Sequence, residues 1–170
     1  MDLTQTKIAF RKFAKTTQTQ ARANISRKDL KASGRLRNEL KFYTKESENS
    51  IELIYERPLY ADYQDKGVSG TQKKYQTEFK YTTKKPPAKV FEKWAKQKGI
   101  KPRSKKTGRF MTFKAFGFAV ANKIYTQGIK PKRFFIAPFE KQAQNLPDPI
   151  LDAFNLDIDK FLKDTLDVTS

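Results

Sequence analysis

Apolar positions recur every three or four residues at the start of the chain. Leu3, Phe10, Phe13, Ala14, Thr17 and Ala21 fall on one stripe, with Lys, Arg and Gln on the opposite face. This spacing predicts a helix over residues 3–23 that lies on a sheet or on a neighbouring subunit. A polar connector at 26–35 follows, where Gly34 is free to take left-handed turn geometry before a strand begins. The period then changes to two: Leu40, Phe42 and Thr44 alternate with polar neighbours, as do Ile51, Leu53 and Tyr55. The pattern predicts an antiparallel hairpin of residues 38–46 and 50–57, turning at Glu48-Asn49-Ser50.

Pro58 suits the first turn of a short helix in which Leu59 and Tyr63 meet at i and i+4, and Gly67 is placed to close it. Residues 68–85 are polar and β-leaning, an exposed hairpin or long loop that carries Tyr75, Phe79 and Tyr81. Pro86-Pro87 opens a helix with the face Val90, Phe91, Trp94 and Ala95, and Gly99 ends it. Beyond a basic loop at 101–109, Phe113, Phe116, Gly117, Val120, Ala121 and Ile124 keep helical spacing up to Gly128 and mark the central core helix. Lys132 to Ile136 reads as a short strand stopped by Pro138. Pro147 and Pro149 break the chain before a last amphipathic helix, with Ile150, Leu151, Phe154, Ile158, Phe161, Leu162 and Leu166 on one face and acidic groups on the other.

These elements predict an α+β fold. Its antiparallel sheet is expected from residues 38–57, 133–137 and part of 70–83, packed against the N-terminal helix and the central helix at 112–127. The expected organisation is one α+β domain over residues 1–146, with a basic helical module inserted at about 70–109, and a C-terminal helical extension over 147–170. A chain of 170 residues is long enough to bury a core without metals or disulfides. No apolar run approaches the roughly 18 residues of a membrane span, and the N-terminal residues lack the apolar stretch of a signal peptide. The expectation is a soluble protein made in the cytosol.

Composition narrows the chemistry. The chain has no Cys and no His, which excludes disulfide frameworks, thiol nucleophiles and imidazole acid-base catalysis, and removes the commonest zinc ligands. No catalytic residue, metal or cofactor is expected. The net charge of +18 is concentrated: residues 73–133 carry 19 basic and 2 acidic groups, whereas residues 134–170 carry 3 basic and 7 acidic. Such a block calls for a polyanionic neighbour, either nucleic acid or an acidic protein face, unless it is merely a solvated surface.

Four segments in a fixed order carry a family likeness: Ser33-Gly34-Arg35-Leu36-Arg37, Tyr60-Ala61-Asp62-Tyr63-Gln64-Asp65-Lys66-Gly67, the helix from Phe113 to Gly128, and Arg133-Phe134-Phe135-Ile136-Ala137-Pro138-Phe139. Over residues 3–145 the chain resembles the phage tail-completion proteins, which join a virus head to its tail. The Pro86–Arg109 module and the helix after Pro149 depart from the compact members. The resemblance implies a non-enzymatic virion protein in a ring of six or twelve copies around the DNA channel. Portal or adaptor proteins would lie on the head side, tail proteins on the other, with assembly in the host cytoplasm, transient contact with genomic DNA and no membrane partner.

Arg35, Arg37, Tyr60, Tyr63, Phe134 and Phe135 are the candidate subunit contacts. Tyr60 and Tyr63 are read equally well as core packing, and the two arginines as solvated charges. Lys84, Lys85, Lys101, Arg103, Lys105, Lys106 and Arg109 are candidates for an acidic partner or DNA, and an acidic neighbouring ring or the chain's own acidic C-terminal helix is the expected partner. Two other readings compete. Tyr75, Phe79 and Tyr81 among lysines suit a nucleic-acid stacking platform. Glu78-Phe79-Lys80 has the Glu-x-Lys spacing of metal-dependent nucleases, which also need an upstream Asp on a strand, whereas Asp62 and Asp65 fall in a predicted helix.

Overall fold

The computed structural model describes residues 3–30, 33–47, 50–104 and 107–167. It is an α+β structure: among these residues seven helices accompany a two-stranded antiparallel sheet. The chain divides into two compact units that are interleaved in sequence. The first comprises Met1–Ile25, Asn38–Arg57 and Phe134–Ser170, and the second Ser26–Arg37 and Pro58–Arg133.

In the first unit, helix α1 (Thr4–Arg27) buries Thr6, Phe13, Ala14, Thr17, Ala21 and Ile25, while Leu3 and Phe10 of the expected stripe are half-buried. Strands β1 (Lys41–Ser47) and β2 (Ser50–Glu56) pair with Phe42 opposite Tyr55, Thr44 opposite Leu53 and Ser47 opposite Ser50. Glu48 and Asn49 of the expected turn lie outside the described residues. Phe42, Thr44, Leu53 and Tyr55 therefore share a face, and the Tyr55 hydroxyl donates to the carbonyl of Ala14 on α1. The other face sets Lys45 against Glu52 and Lys41 against Glu56, opposite charges suited to solvent.

Residues 133–137 do not form a strand. Phe134 and Phe135 lead directly into helix α6 (Ile136–Gln144), with Pro138 inside its first turn. Proline is tolerated there because its missing N–H would have had no intrahelical partner. Phe135 meets Tyr55 edge-on at 4.9 Å and stacks with Phe139 at 5.9 Å, while Phe139 meets Phe13 edge-on at 5.6 Å. Aromatic pairs of this geometry contribute about 0.5–1.5 kcal/mol each beyond area burial. Helix α7 (Pro147–Asp167) completes the unit, and it starts at Pro147 rather than after the proline pair.

The second unit contains α3 (Tyr60–Asp65), α4 (Ala88–Gln97) and α5 (Phe113–Gln127), and the four-residue helix α2 (Arg35–Asn38) begins in it. The side chain of Thr112 caps α5 by accepting from the Ala115 amide, and Gly128, at φ 73°, ends it. Helix α5 packs on α4. Gly117 makes this possible, because a Cβ there would sit 2.7 Å from the Ala88 carbonyl. Residues 70–83, expected to add to the sheet, contribute no strand to it; Lys80 makes only an isolated parallel bridge with Ser69, beside the bridge of Val68 with Ile129.

Candidate functional site

The division of the chain sharpens the charge pattern. The second unit carries 25 basic against 5 acidic side chains, a net +20, whereas the first carries 11 against 13, a net −2. Nearly every excess cation belongs to one compact body.

Within that body, residues 66–81 form an irregular segment whose hydrogen bonds gather around Ser69. The Ser69 amide donates to the Phe79 carbonyl and its carbonyl accepts from the Tyr81 amide, both at 2.8 Å. Its hydroxyl accepts from the Tyr75 amide at 3.0 Å and donates to the Tyr75 carbonyl at 3.1 Å. The segment docks on the end of α5, where Thr71 and Gln72 donate to the carbonyls of Tyr125 and Thr126. Gly70 and Gly128 permit that approach: a Cβ on Gly70 would lie 2.2 Å from the Thr126 carbonyl oxygen, and one on Gly128 would lie 2.1 Å from that of Val68.

Aromatic rings and cations alternate over this segment. Tyr63 meets Phe79 edge-on at 4.7 Å, and the Lys66 ammonium stands over Phe79 at 5.7 Å while pairing with Glu78 at 2.6 Å. Lys85 stands over Tyr125 at 5.4 Å and donates to Asn122. An open depression of about 440 Å³ lies between Tyr63, Phe79, Tyr81 and Ile129. Burial, and then the neighbouring Tyr63, push the Tyr81 hydroxyl above its ordinary pKa, so it remains a neutral donor. Glu78 is thus engaged with Lys66, Asp65 is buried on a helix, and no group of three acidic side chains suited to a metal occurs among the described residues.

The candidate contacts separate by burial. Tyr60 and Tyr63 are 40% and 45% exposed, and beside them Leu59 is 90% exposed, so α3 presents apolar area to solvent. Arg35 and Arg37 are exposed on α2. Phe134 and Phe135 are core residues of the first unit, at 0% and 7% exposure, and are not surface contacts. Their apolar run reads alike for a core and for an interface. Lys84, Lys85, Lys101, Arg103 and Arg109 are exposed, with Arg103 lying over the Phe110 ring at 4.2 Å; Lys105 and Lys106 lie outside the described residues.

On helix α4, Val90 and Trp94 of the apolar face are exposed, and Ala95 is the buried position. Lys89 and Lys93 are exposed beside them at i and i+4, a spacing that was present in the sequence but masked by the abundance of lysine, whereas Lys96 stands over the Phe113 ring at 5.5 Å. No helix among the described residues is long and apolar enough to cross a membrane. No protein-family model, curated protein or solved structure matches the chain.

Proposed function

We propose that this chain is a structural protein of a bacteriophage head-tail neck, set as a ring of like copies between the portal side and the tail and around the DNA channel, with no catalytic role. The division of charge carries the reading. A ring of identical subunits needs two different, complementary surfaces on each copy, and here a +20 unit and a −2 unit are joined in one chain. Exposed Leu59, Tyr60 and Tyr63 supply the kind of apolar area enriched at such interfaces. The four ordered tail-completion-like segments support the same assignment. The basic module at about 70–109 and the C-terminal helix are additions to that core which select the neighbour.

Mass spectrometry and cryo-EM of the purified particle test it. The expected result is multiple copies at the neck; a chain present in infected-cell extracts and missing from virions overturns it.

A second reading, a nucleic-acid-binding protein, is favoured by the cations and aromatic rings interleaved at Tyr63, Lys66, Phe79 and Lys85. It requires tight binding of free DNA that weakens steeply and linearly on a log scale with salt. Ring formation without DNA favours the neck.

A further inference from the structure

The exposed apolar residues of α4 and α7 share a design. On α7, Leu151, Phe154, Phe161 and Leu162 are exposed at helical spacing, and Leu151 is 59% exposed. At 100° per residue these side chains form one arc beside the buried positions Ala153 and Asp157, and exposed Asp148, Asp152 and Asp159 form a row along the far edge of that arc. On α4, Val90, 57% exposed, and Trp94 form a shorter arc, edged by Lys89 and Lys93. Each helix is an apolar stripe with a charged border, and the borders have opposite sign.

The charged borders share a spacing at their start: Asp148 and Asp152 lie four positions apart, as do Lys89 and Lys93, about 6 Å on each helix. Duplex DNA would satisfy the lysines and leave Val90 and Trp94 uncovered, so the apolar stripe favours a protein partner with an acidic amphipathic helix. This chain possesses such a helix.

We propose that α7 of one copy docks on the outer face of α4 of the next copy, stripe on stripe, with Asp148 and Asp152 set against Lys89 and Lys93. The contact joins two different surfaces, so it propagates from copy to copy and closes a ring when the rotation allows. Apolar burial supplies its affinity, while the charge rows fix register and reject wrong pairings. This deepens the neck reading and rests on its ring of like copies.

Because the chain has no cysteine, disulfide trapping has no background. Val90→Cys and Leu151→Cys proteins, each with a single thiol, are mixed and oxidised. The expected product is a V90C–L151C crosslinked dimer, and the protein carrying both substitutions on one chain gives a ladder of multimers. A double variant that forms only an intrachain bond, or a mixture that gives no mixed dimer, overturns the proposal. Charge reversal provides a second arm by sedimentation. Reversing Asp148 and Asp152 to Lys, or Lys89 and Lys93 to Glu, is expected to weaken self-association more than about tenfold, and combining both sets to restore it. Unchanged association in either charge-reversed variant, or failure of the combined variant to recover, counts against the contact. These measurements use purified protein, so they can fail while the chain is still found at the neck, and succeed where it is not.

Discussion

The carboxylate of Asp157 closes on Thr6 across 151 positions of sequence, accepting from its backbone amide at 2.9 Å and from its hydroxyl at 2.8 Å. It also accepts from the amide of Gln5. Gln5 and Thr6 are the second and third residues of α1, whose amides have no intrahelical partner. A distant acidic residue thus performs the capping that Leu3, which precedes the helix, cannot.

Asp157→Ala is therefore expected to destabilise the first unit by about 1–2 kcal/mol at neutral pH, the usual range for a lost cap in a buried setting. Chemical denaturation of both proteins measures it. The burial of Asp157 alone would raise its pKa, but the hydrogen bonds from Thr6 and Gln5, with Lys160 nearby, outweigh it and hold the carboxyl below its ordinary 3.8. A folded-state pKa lower than the unfolded one stabilises fully above the unfolded value and is lost as pH falls through the folded value. The wild-type advantage should accordingly persist at neutral pH and vanish under acid; an advantage that grows as pH falls contradicts the cap.

Truncation separates the two halves of α7. Removing residues 159–170 takes away side chains that are exposed wherever described, and is expected to leave stability unchanged within about 1 kcal/mol. Removing residues 147–170 also deletes buried Ala153 and Asp157, and should cost more than roughly 2 kcal/mol. The C-terminal helix is thus not a wholly separable extension: its first half is structural. Thermal unfolding of the two truncations decides this.

Gly70→Ala and Gly128→Ala each place a Cβ against backbone, and Gly128 also has a left-handed φ. Each is expected to destabilise the second unit by about 2 kcal/mol or more. Circular dichroism at low temperature, where the helices persist, followed by a melt, provides the measurement. A neutral substitution at either site rules out the close approach.

Ser69→Ala removes both hydroxyl bonds to Tyr75 while leaving the backbone bonds of residue 69 in place. The expected cost is about 1 kcal/mol, felt locally as faster amide hydrogen exchange at Tyr75 than at Val68. Uniform acceleration across the second unit would show instead that the segment has no separate stability.

The pattern of residues by itself determined most of the local structure. Periodicity located α1, α4, α5 and the hairpin, because a 3.6-residue or two-residue repeat is written directly in which side chains must leave water. Gly128 marked the end of α5 by local backbone chemistry. The short run Phe134-Phe135-Ile136 was misread as a strand, since a few consecutive apolar residues suit either state and Pro138 resembles a stop when it is in fact inside a first helical turn. Composition likewise established the basic block, but only the tertiary structure assigned it to one of two interleaved units. It also decided that Val90 and Trp94 face outward while Phe134 is enclosed, and that Asp157 caps α1. A repeat specifies that a face is apolar and leaves open what covers it; that depends on contacts between residues far apart in the chain, which no local pattern contains.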